Sequence, residues 1–380
     1  MSVAFHPPPR RILVRGVNWL GDAVMTTPAL LRLRQYYPAA HITLLTPAKL
    51  QELWTGHPAI DDTIAFAAGE GLWSIAQKLR AGRFDLALVL PNSPRSALET
   101  WLARIPQRIG YARPWRNALL TRTIRSRPGA VKMRKRTPEE IRVLIAASGA
   151  AVGDQVPVIP ASAHQLYEYL HLVAVLGASA EPSAPHLAVC PKELELAQQK
   201  FGLAAAPLPL VGLNPGAEYG PAKRWPAERF VAAALAVSAQ MPCTWVVFGG
   251  NNDRATAETI EAALRAAKLT VVNLAGRTNL RELMAALKLC RVLLTNDTGP
   301  MHVAAALGTP VVVPFGSTSP ELTGPGLPGD SRHRLLKADA VCSPCFLREC
   351  PIDFRCLLGI GAERVAAAVI ERLNAKGNSS

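Results

Sequence analysis

The chain has 380 residues, which is more than one hydrophobic core usually serves, so two domains of ordinary size are expected. Its composition, 49% hydrophobic and 18% charged, excludes a disordered protein. Lys and Arg number 42 against 28 Asp and Glu, and the net charge of +14 attracts phosphates, nucleic acid or anionic membrane surfaces.

Short β-branched apolar runs alternate with helix-length segments from Arg11 onward. RILVRG, HITLLTP and FDLALVL predict strands in the first half, and LVGLNPG, CTWVVFGG, TVVNLAG, RVLLTN and PVVVPFG repeat the pattern in the second half. Continuous apolar strands suit parallel sheets that are buried on both faces. The sequence therefore predicts an α/β protein with two Rossmann-like domains, whose parallel sheets face each other across a cleft.

The predicted domain limits follow from this pattern. Residues 1–185 form the first domain, 186–209 a Pro- and Ala-rich linker and 210–373 the second domain. The last helix covers 362–373, and 374–380 is a frayed tail. The first residues contain no secretory leader, and no run of about eighteen apolar residues occurs, so a cytoplasmic protein is expected.

Two predicted turns of the first domain carry polar groups that could act on a ligand. The segment RGVNWLGDAVMTTPAL follows the first strand and places Asp22 at a helix start. The alternative is an acid that only stabilises the helix N-terminus. The strand FDLALVL ends in Asn92 and Ser93, followed by Arg95, which either touch an acceptor or form a simple turn.

The second domain has two such turns. The loop NPGAEYGPAKRWP brings Gly216 and Lys223 to a strand end, where they suit phosphate oxygens; the alternative is an ordinary loop with solvated bases. In TNDTGPMHVAAAL, Asp297 or Thr298 caps a helix that begins near Gly299 and carries His302. Such a helix start stabilises a leaving nucleoside diphosphate without a metal, unless it is merely a capped helix.

Two further segments remain open to several interpretations. The basic stretch 113–136 suits a phosphorylated glycolipid at a membrane surface, nucleic acid, or plain solvation, and no nucleic-acid reader motif accompanies it. A compact run of four cysteines could hold one structural Zn²⁺, contain free buried thiols or form a redox pair; its members are Cys342, Cys345, Cys350 and Cys356.

Taken in order, VNWLGDAVMTTPAL, LPNSPRSAL, NPGAEYGPAKRWP, CTWVVFGG, NLAGRTNLRELMAAL and TNDTGPMHVAAALGTP resemble glycosyltransferase family 9, the heptosyltransferases. GAEYGPAKRWP is more similar to the second heptosyltransferase than to the first. The resemblance implies a GT-B fold, an ADP-heptose donor held by the second domain and a heptosyl-Kdo-lipid A acceptor met by the first. It also implies inversion at the anomeric centre without a required metal or other cofactor, and peripheral contact with the inner membrane face.

The resemblance also assigns roles to residues at matching positions. Asp22 becomes the general base for the acceptor hydroxyl, as a direct displacement requires, and Lys223 becomes a diphosphate contact. The donor-binding set is Gly216, Lys223, Asp253, Asp297, Thr298, Gly299 and His302. The acceptor-binding set is Asn18, Asn92, Ser93 and Arg95.

Two rival functions remain open from the sequence. The first is a transferase or epimerase that uses another nucleotide sugar in the same fold. The second is a non-catalytic, zinc-supported protein that binds nucleic acid or an anionic membrane and predicts strongly salt-dependent binding. Nucleic acid is not an expected partner, because Asp22, Lys223 and His302 match the transferase pattern.

Overall fold

The structure is a computed structural model that describes residues 7–147, 159–204 and 208–375. It divides into two compact units, the first Met1–Ala130 with Ser162–Ala188 and the second Val131–Ala161 with Val189–Ser380. The described residues 131–147 and 159–161 therefore group with the second unit. In the predicted tail, Asn374 still belongs to the last helix and 376–380 lie outside the described residues.

The first unit is built on a six-stranded parallel sheet whose strand order is β3-β2-β1-β4-β5-β6. This is the order of a Rossmann-type domain, in which the chain direction across the sheet reverses between the first and fourth strands. The strands are β1 (Arg11–Arg15), β2 (His41–Pro47), β3 (Asp62–Phe66), β4 (Leu86–Val89), β5 (Gln107–Tyr111) and β6 (Arg122–Ile124).

Among the described residues of this unit, the α-helices are α1 (Leu20–Tyr36), α2 (Leu72–Ala81), α3 (Pro94–Leu102) and α5 (Leu166–Val175). Helix α1 packs on α5, and α2 packs on α3. Leu13, Ala87, Ile75 and Leu79 are fully buried in the core between the sheet and α2. Burial on both faces explains why β1 and β4 read as continuous apolar runs.

The second unit repeats this architecture with the strand order β12-β11-β10-β7-β8-β9, again parallel throughout. Its strands are β7 (Leu210–Asn214), β8 (Thr244–Val247), β9 (Val271–Asn273), β10 (Val292–Thr295), β11 (Val311–Phe315) and β12 (Arg334–Lys337). Here the direction reverses between β7 and β10, so the predicted pair of parallel sheets is confirmed.

The helices of the second unit cover both faces of this sheet. Helix α7 packs on α8 and α13, and α6 packs on α9. The bounds are α4 (Pro138–Ala147), α6 (Pro191–Phe201), α7 (Ala227–Ser238), α8 (Arg254–Ala266), α9 (Leu280–Leu289), α10 (Gly299–Ala306), α11 (Pro320–Thr323), α12 (Arg355–Leu358) and α13 (Ala362–Asn374).

The eight strands that the apolar runs predict are all present, and the last helix matches its predicted range to within one residue. The sequence did not predict β3, β5, β6 and β12; β6 lies inside the basic stretch 113–136. Among the described residues, no helix is long and apolar enough to cross a membrane.

Candidate active site

The candidate residues lie in two groups, one in each unit, at the carboxyl ends of the parallel strands. In a doubly wound sheet, ligands bind beyond the carboxyl ends of the strands where the strand order reverses. In the first unit this point lies between β1 and β4, whose residues Arg15 and Val89 are in register. In the second unit it lies between β7 and β10, where Asn214 is in register with Thr295.

Asp22 lies in the first turn of α1, directly after β1, and its side chain is half-buried. Gln165, from a distant part of the chain, donates from Nε2 to Asp22 Oδ1 over 3.3 Å and to the Tyr169 hydroxyl over 2.8 Å. Burial and then the charge of Asp22 raise the pKa of Tyr169 well above its usual value. Gln165 thus orients the Asp22 carboxylate and links it to Tyr169.

The four predicted acceptor residues lie around the same strand ends. Asn18 is exposed and accepts a hydrogen bond from Arg15 Nη1 over 2.8 Å, and Asn92 is exposed in the turn after β4. The Ser93 hydroxyl caps α3 by accepting from the Ser96 amide, and Arg95 pairs with Glu99 over 3.3 Å. Asn18, Asn92 and Ser93 are all exposed, but the Asn18 carbonyl and the Ser93 hydroxyl are already engaged within the protein.

In the second unit, three hydrogen bonds that use asparagine side chains join the end of β7 and its following loop to the end of β10 and its following residue. Asn214 Nδ2 donates to Thr295 Oγ1 over 3.0 Å, and Asn296 Nδ2 donates to the Pro215 carbonyl over 2.7 Å. The Trp225 amide donates to Asn296 Oδ1 over 3.0 Å. Buried polar groups that are fully paired fix both loops in one arrangement.

Lys223 and Asp297 meet at this edge in a close ion pair. Lys223 Nζ lies 2.6 Å from Asp297 Oδ2, and the two side chains are 15% and 4% exposed. Thr318 Oγ1 donates to the same carboxylate oxygen over 2.5 Å. The carboxylate therefore holds the ammonium group in place at the strand ends, where the group can also reach a phosphate oxygen.

Gly216 and Asp253 are also brought together. A Cβ atom at position 216 would lie 2.3 Å from Asp253 Oδ2, so a side chain there would require the Asp253 carboxylate to move. Asp253 Oδ2 accepts from the Gly250 amide over 3.0 Å, and Arg224 lies 3.6 Å from Asp253 Oδ1. The predicted donor residues after β7 and β8 thus share one surface.

Helix α10 begins at Gly299, directly after Asp297 and Thr298. Thr298 is extended and its side chain caps no amide of the helix, while His302 is buried in the first part of α10. Helix N-termini attract anions because their first amide groups lack partners within the helix. The carboxyl ends of β7, β8 and β10 therefore bring together the start of α10, the Lys223 ammonium group and the Gly216 backbone. These three features together suit a nucleoside diphosphate.

The glycosyltransferase family 9 (heptosyltransferase) model matches residues 72–137 and 146–354. Lipopolysaccharide heptosyltransferase 2 of Salmonella typhimurium is 32% identical over 322 residues, which cover 83% of this chain and 85% of that protein. The chain belongs to glycosyltransferase family 9.

Solved structures of similar proteins agree with this family membership. The structure of Escherichia coli ADP-heptose lipopolysaccharide heptosyltransferase II is 29% identical with a TM-score of 0.73, covering 96% of this chain and 98% of that one. A family 9 glycosyltransferase from Veillonella parvula is 25% identical with a TM-score of 0.75, covering 97% and 98%. The fold is accordingly the GT-B fold that the sequence resemblance implied.

The structure places further residues beside Lys223 that sequence reasoning missed. Tyr219 donates from its hydroxyl to the Phe346 carbonyl over 2.7 Å, and its ring lies 4.9 Å from Lys223 Nζ. The exposed Arg348 lies over the same ring at 5.3 Å, and its carbonyl accepts from the Ala222 amide over 2.9 Å. Arg348 sits between two of the clustered cysteines, and no pattern around it pointed to the donor loop.

The four clustered cysteines line one pocket of the second unit, together with Ser317 and Arg355. All four are free thiols; burial raises the pKa of Cys356 to about 12 and raises the pKa of Cys342 and of Cys345. In the part of the chain that the structure describes, no three His, Cys, Asp or Glu side chains are grouped so that they could hold a metal ion. The zinc site therefore stays a prediction.

Proposed function

We propose that this family 9 member is an inverting glycosyltransferase that moves L-glycero-D-manno-heptose from ADP-heptose to the heptosyl-Kdo-lipid A inner core of lipopolysaccharide. The names of its relatives support the donor and the reaction class. The observation that carries the proposal is the meeting of Lys223, Asp297 and the start of α10 at the reversal point of the second sheet. That is where a doubly wound domain holds a nucleotide.

In this reaction the acceptor hydroxyl oxygen attacks the anomeric carbon while the bond from that carbon to the ADP oxygen breaks. Asp22 takes the hydroxyl proton, and ADP leaves with the electron pair of the broken bond. Lys223 and the first amides of α10 stabilise the charge that develops on the diphosphate. One displacement inverts the configuration, and because the site supplies its own cation, we propose that no cofactor is required.

The proposed function is tested by ADP release from ADP-heptose with heptosyl-Kdo-lipid A as acceptor. We expect release that depends on the acceptor, continues in EDTA and yields a product heavier by one heptose. UDP-glucose and GDP-mannose, which differ from ADP-heptose in both the nucleotide and the sugar, serve as control donors. Turnover of one of these donors alone would favour another nucleotide-sugar transferase, and salt-dependent nucleic-acid binding without any turnover would favour the binding-protein alternative.

Replacing Lys223 should lower the catalytic efficiency of the protein with ADP-heptose. Lys223→Ala removes the ammonium group and leaves Asp297, only 4% exposed, without that partner. We expect kcat/KM for ADP-heptose to fall about 10²- to 10³-fold, the usual cost of losing one group that stabilises developing charge. Steady-state kinetics with varied donor measure this.

The matched control is Lys200→Ala, which breaks a pair with Glu282 of similar length, 2.6 Å, at a more exposed lysine. It should leave kcat/KM unchanged. Equal losses in the two variants would remove Lys223 from the donor site.

We also propose that the cysteine pocket holds one structural zinc ion, for which the four clustered thiols are the support. The sulfur atoms would have to converge to about 2.3 Å from the ion, as in other zinc sites. Metal analysis of the purified protein should then give one zinc per chain, lost in Cys345→Ser and kept in Cys243→Ser, a buried thiol elsewhere. A wild-type protein that is fully active and free of zinc would contradict the proposal.

A further inference from the structure

Two tryptophan side chains are exposed on neighbouring helices of the first unit. Trp73 in α2 is 63% exposed, and Trp101 in α3 is 47% exposed. Arg80 connects them, because its guanidinium carbon lies 5.8 Å from the centre of the Trp73 ring and its Nη2 donates to the Leu102 carbonyl over 2.8 Å. The two indoles therefore belong to one patch of the surface.

The charge around this patch is positive. Residues 71–84 and 100–130 contain no Asp or Glu. Lys78 pairs with Glu70 over 2.7 Å, but none of the ion pairs in the described part of the chain involves Arg80, Arg83 or Arg104. We call Trp73, Arg80, Arg83, Trp101 and Arg104 the tryptophan face.

We propose that the tryptophan face docks the protein on an anionic lipid bilayer. Indole rings favour the boundary between water and hydrocarbon, and unpaired arginines favour anionic headgroups. No other large hydrophobic side chain of α2 or α3 is exposed, which suits a headgroup layer better than a protein partner with an apolar centre. The role of this contact rests on the lipid-linked acceptor of the proposed function, but the contact itself can be measured without sugar transfer.

The test is co-sedimentation of the full-length protein with vesicles of phosphatidylcholine containing 30% phosphatidylglycerol. We expect binding at low salt that weakens as salt screens the charges, and little binding to pure phosphatidylcholine. The double variant W73A/W101A should lower the partition coefficient about tenfold, and R83E/R104E should lower it and flatten its dependence on salt.

Leu196→Ala is the matched control, because this α6 side chain is 54% exposed in the second unit. Trp115→Ala tests the basic stretch instead, since Trp115 is 91% exposed beside Arg113. The proposal is overturned if the wild-type protein does not bind anionic vesicles, or if W73A/W101A binds them as well as the wild type does. It is also overturned if only Trp115→Ala loses vesicle binding.

Activity separates docking from the chemistry. W73A/W101A should keep its turnover on detergent-dispersed acceptor and lose it on acceptor embedded in vesicles. Equal losses on both forms of the acceptor would mean that the tryptophans serve the fold or the site, and would overturn docking as their role. Vesicle binding without any heptose transfer would reject the proposed function and leave the docking face in place.

Discussion

Asp22→Asn is expected to lower kcat about 10²- to 10⁴-fold, the range that one positioned general base contributes. The amide keeps the size of the side chain and can still contact Gln165, but it cannot accept the proton of the acceptor hydroxyl. Binding of ADP-heptose should stay near the wild-type value, because the proposed donor residues lie in the second unit. Single-turnover rates and donor affinity, measured separately, check both expectations.

The same variant also tests the alternative role of Asp22 at the start of α1. If the carboxylate only stabilises the helix N-terminus, the free energy of unfolding should fall by about 0.3–1 kcal/mol and kcat should hardly change. Gln165→Leu is a useful companion, since it removes the hydrogen bond to Asp22 while leaving the carboxylate in place. A modest fall in kcat for Gln165→Leu would mark that amide as a positioning residue.

Glu99→Ala should be the most destabilising substitution of a charged side chain in the first unit. Arg15 and Glu99 form a 2.8 Å ion pair with side chains that are 3% and 0% exposed. Removing Glu99 leaves the buried charge of Arg15 without its carboxylate, and the loss of one partner of a buried ion pair costs about 3–5 kcal/mol. Urea unfolding followed by circular dichroism measures the change.

Glu371→Ala is the matched control, because it also breaks an Arg–Glu pair, with Arg334, but at a carboxylate that is 50% exposed. Its effect on the free energy of unfolding should be much smaller, because exposed ion pairs contribute little to stability. If the two variants are equally stable, the buried pair does not support the fold. Arg15, which Glu99 holds in place, also donates a hydrogen bond to Asn18. Glu99→Ala should therefore lower kcat/KM for the acceptor as well.

The central strands β1, β4, β7 and β10 could be predicted from the sequence, whereas three of the four edge strands, and β5 beside one of them, could not. β1, β4, β7 and β10 are buried on both faces and read as unbroken apolar runs. The strands at the sheet edges, such as β3 and β6, bury fewer side chains, and β6 (RTI) has only one buried residue. With so little burial, these segments carry no apolar pattern to find.

The candidate site could be predicted only where a motif follows a strand directly. Asp22, Lys223 and Asp297 lie in the segments that follow β1, β7 and β10, so the sequence located them near the carboxyl ends of these strands. The closeness of Lys223 to Asp297 depends on the pairing of β7 with β10, which brings distant segments into register. Gln165 reaches Asp22 from 143 residues away, and no local spacing encodes such a contact.

The close approach of Gly216 to Asp253 restricts how this sequence can drift over time. A side chain at position 216 would meet the Asp253 carboxylate, which would have to swing away from the Gly250 amide or be shortened by substitution. A smaller residue at 253 makes no such clash with the glycine. A residue other than glycine at 216 should therefore be more frequent in relatives that carry a smaller residue at 253.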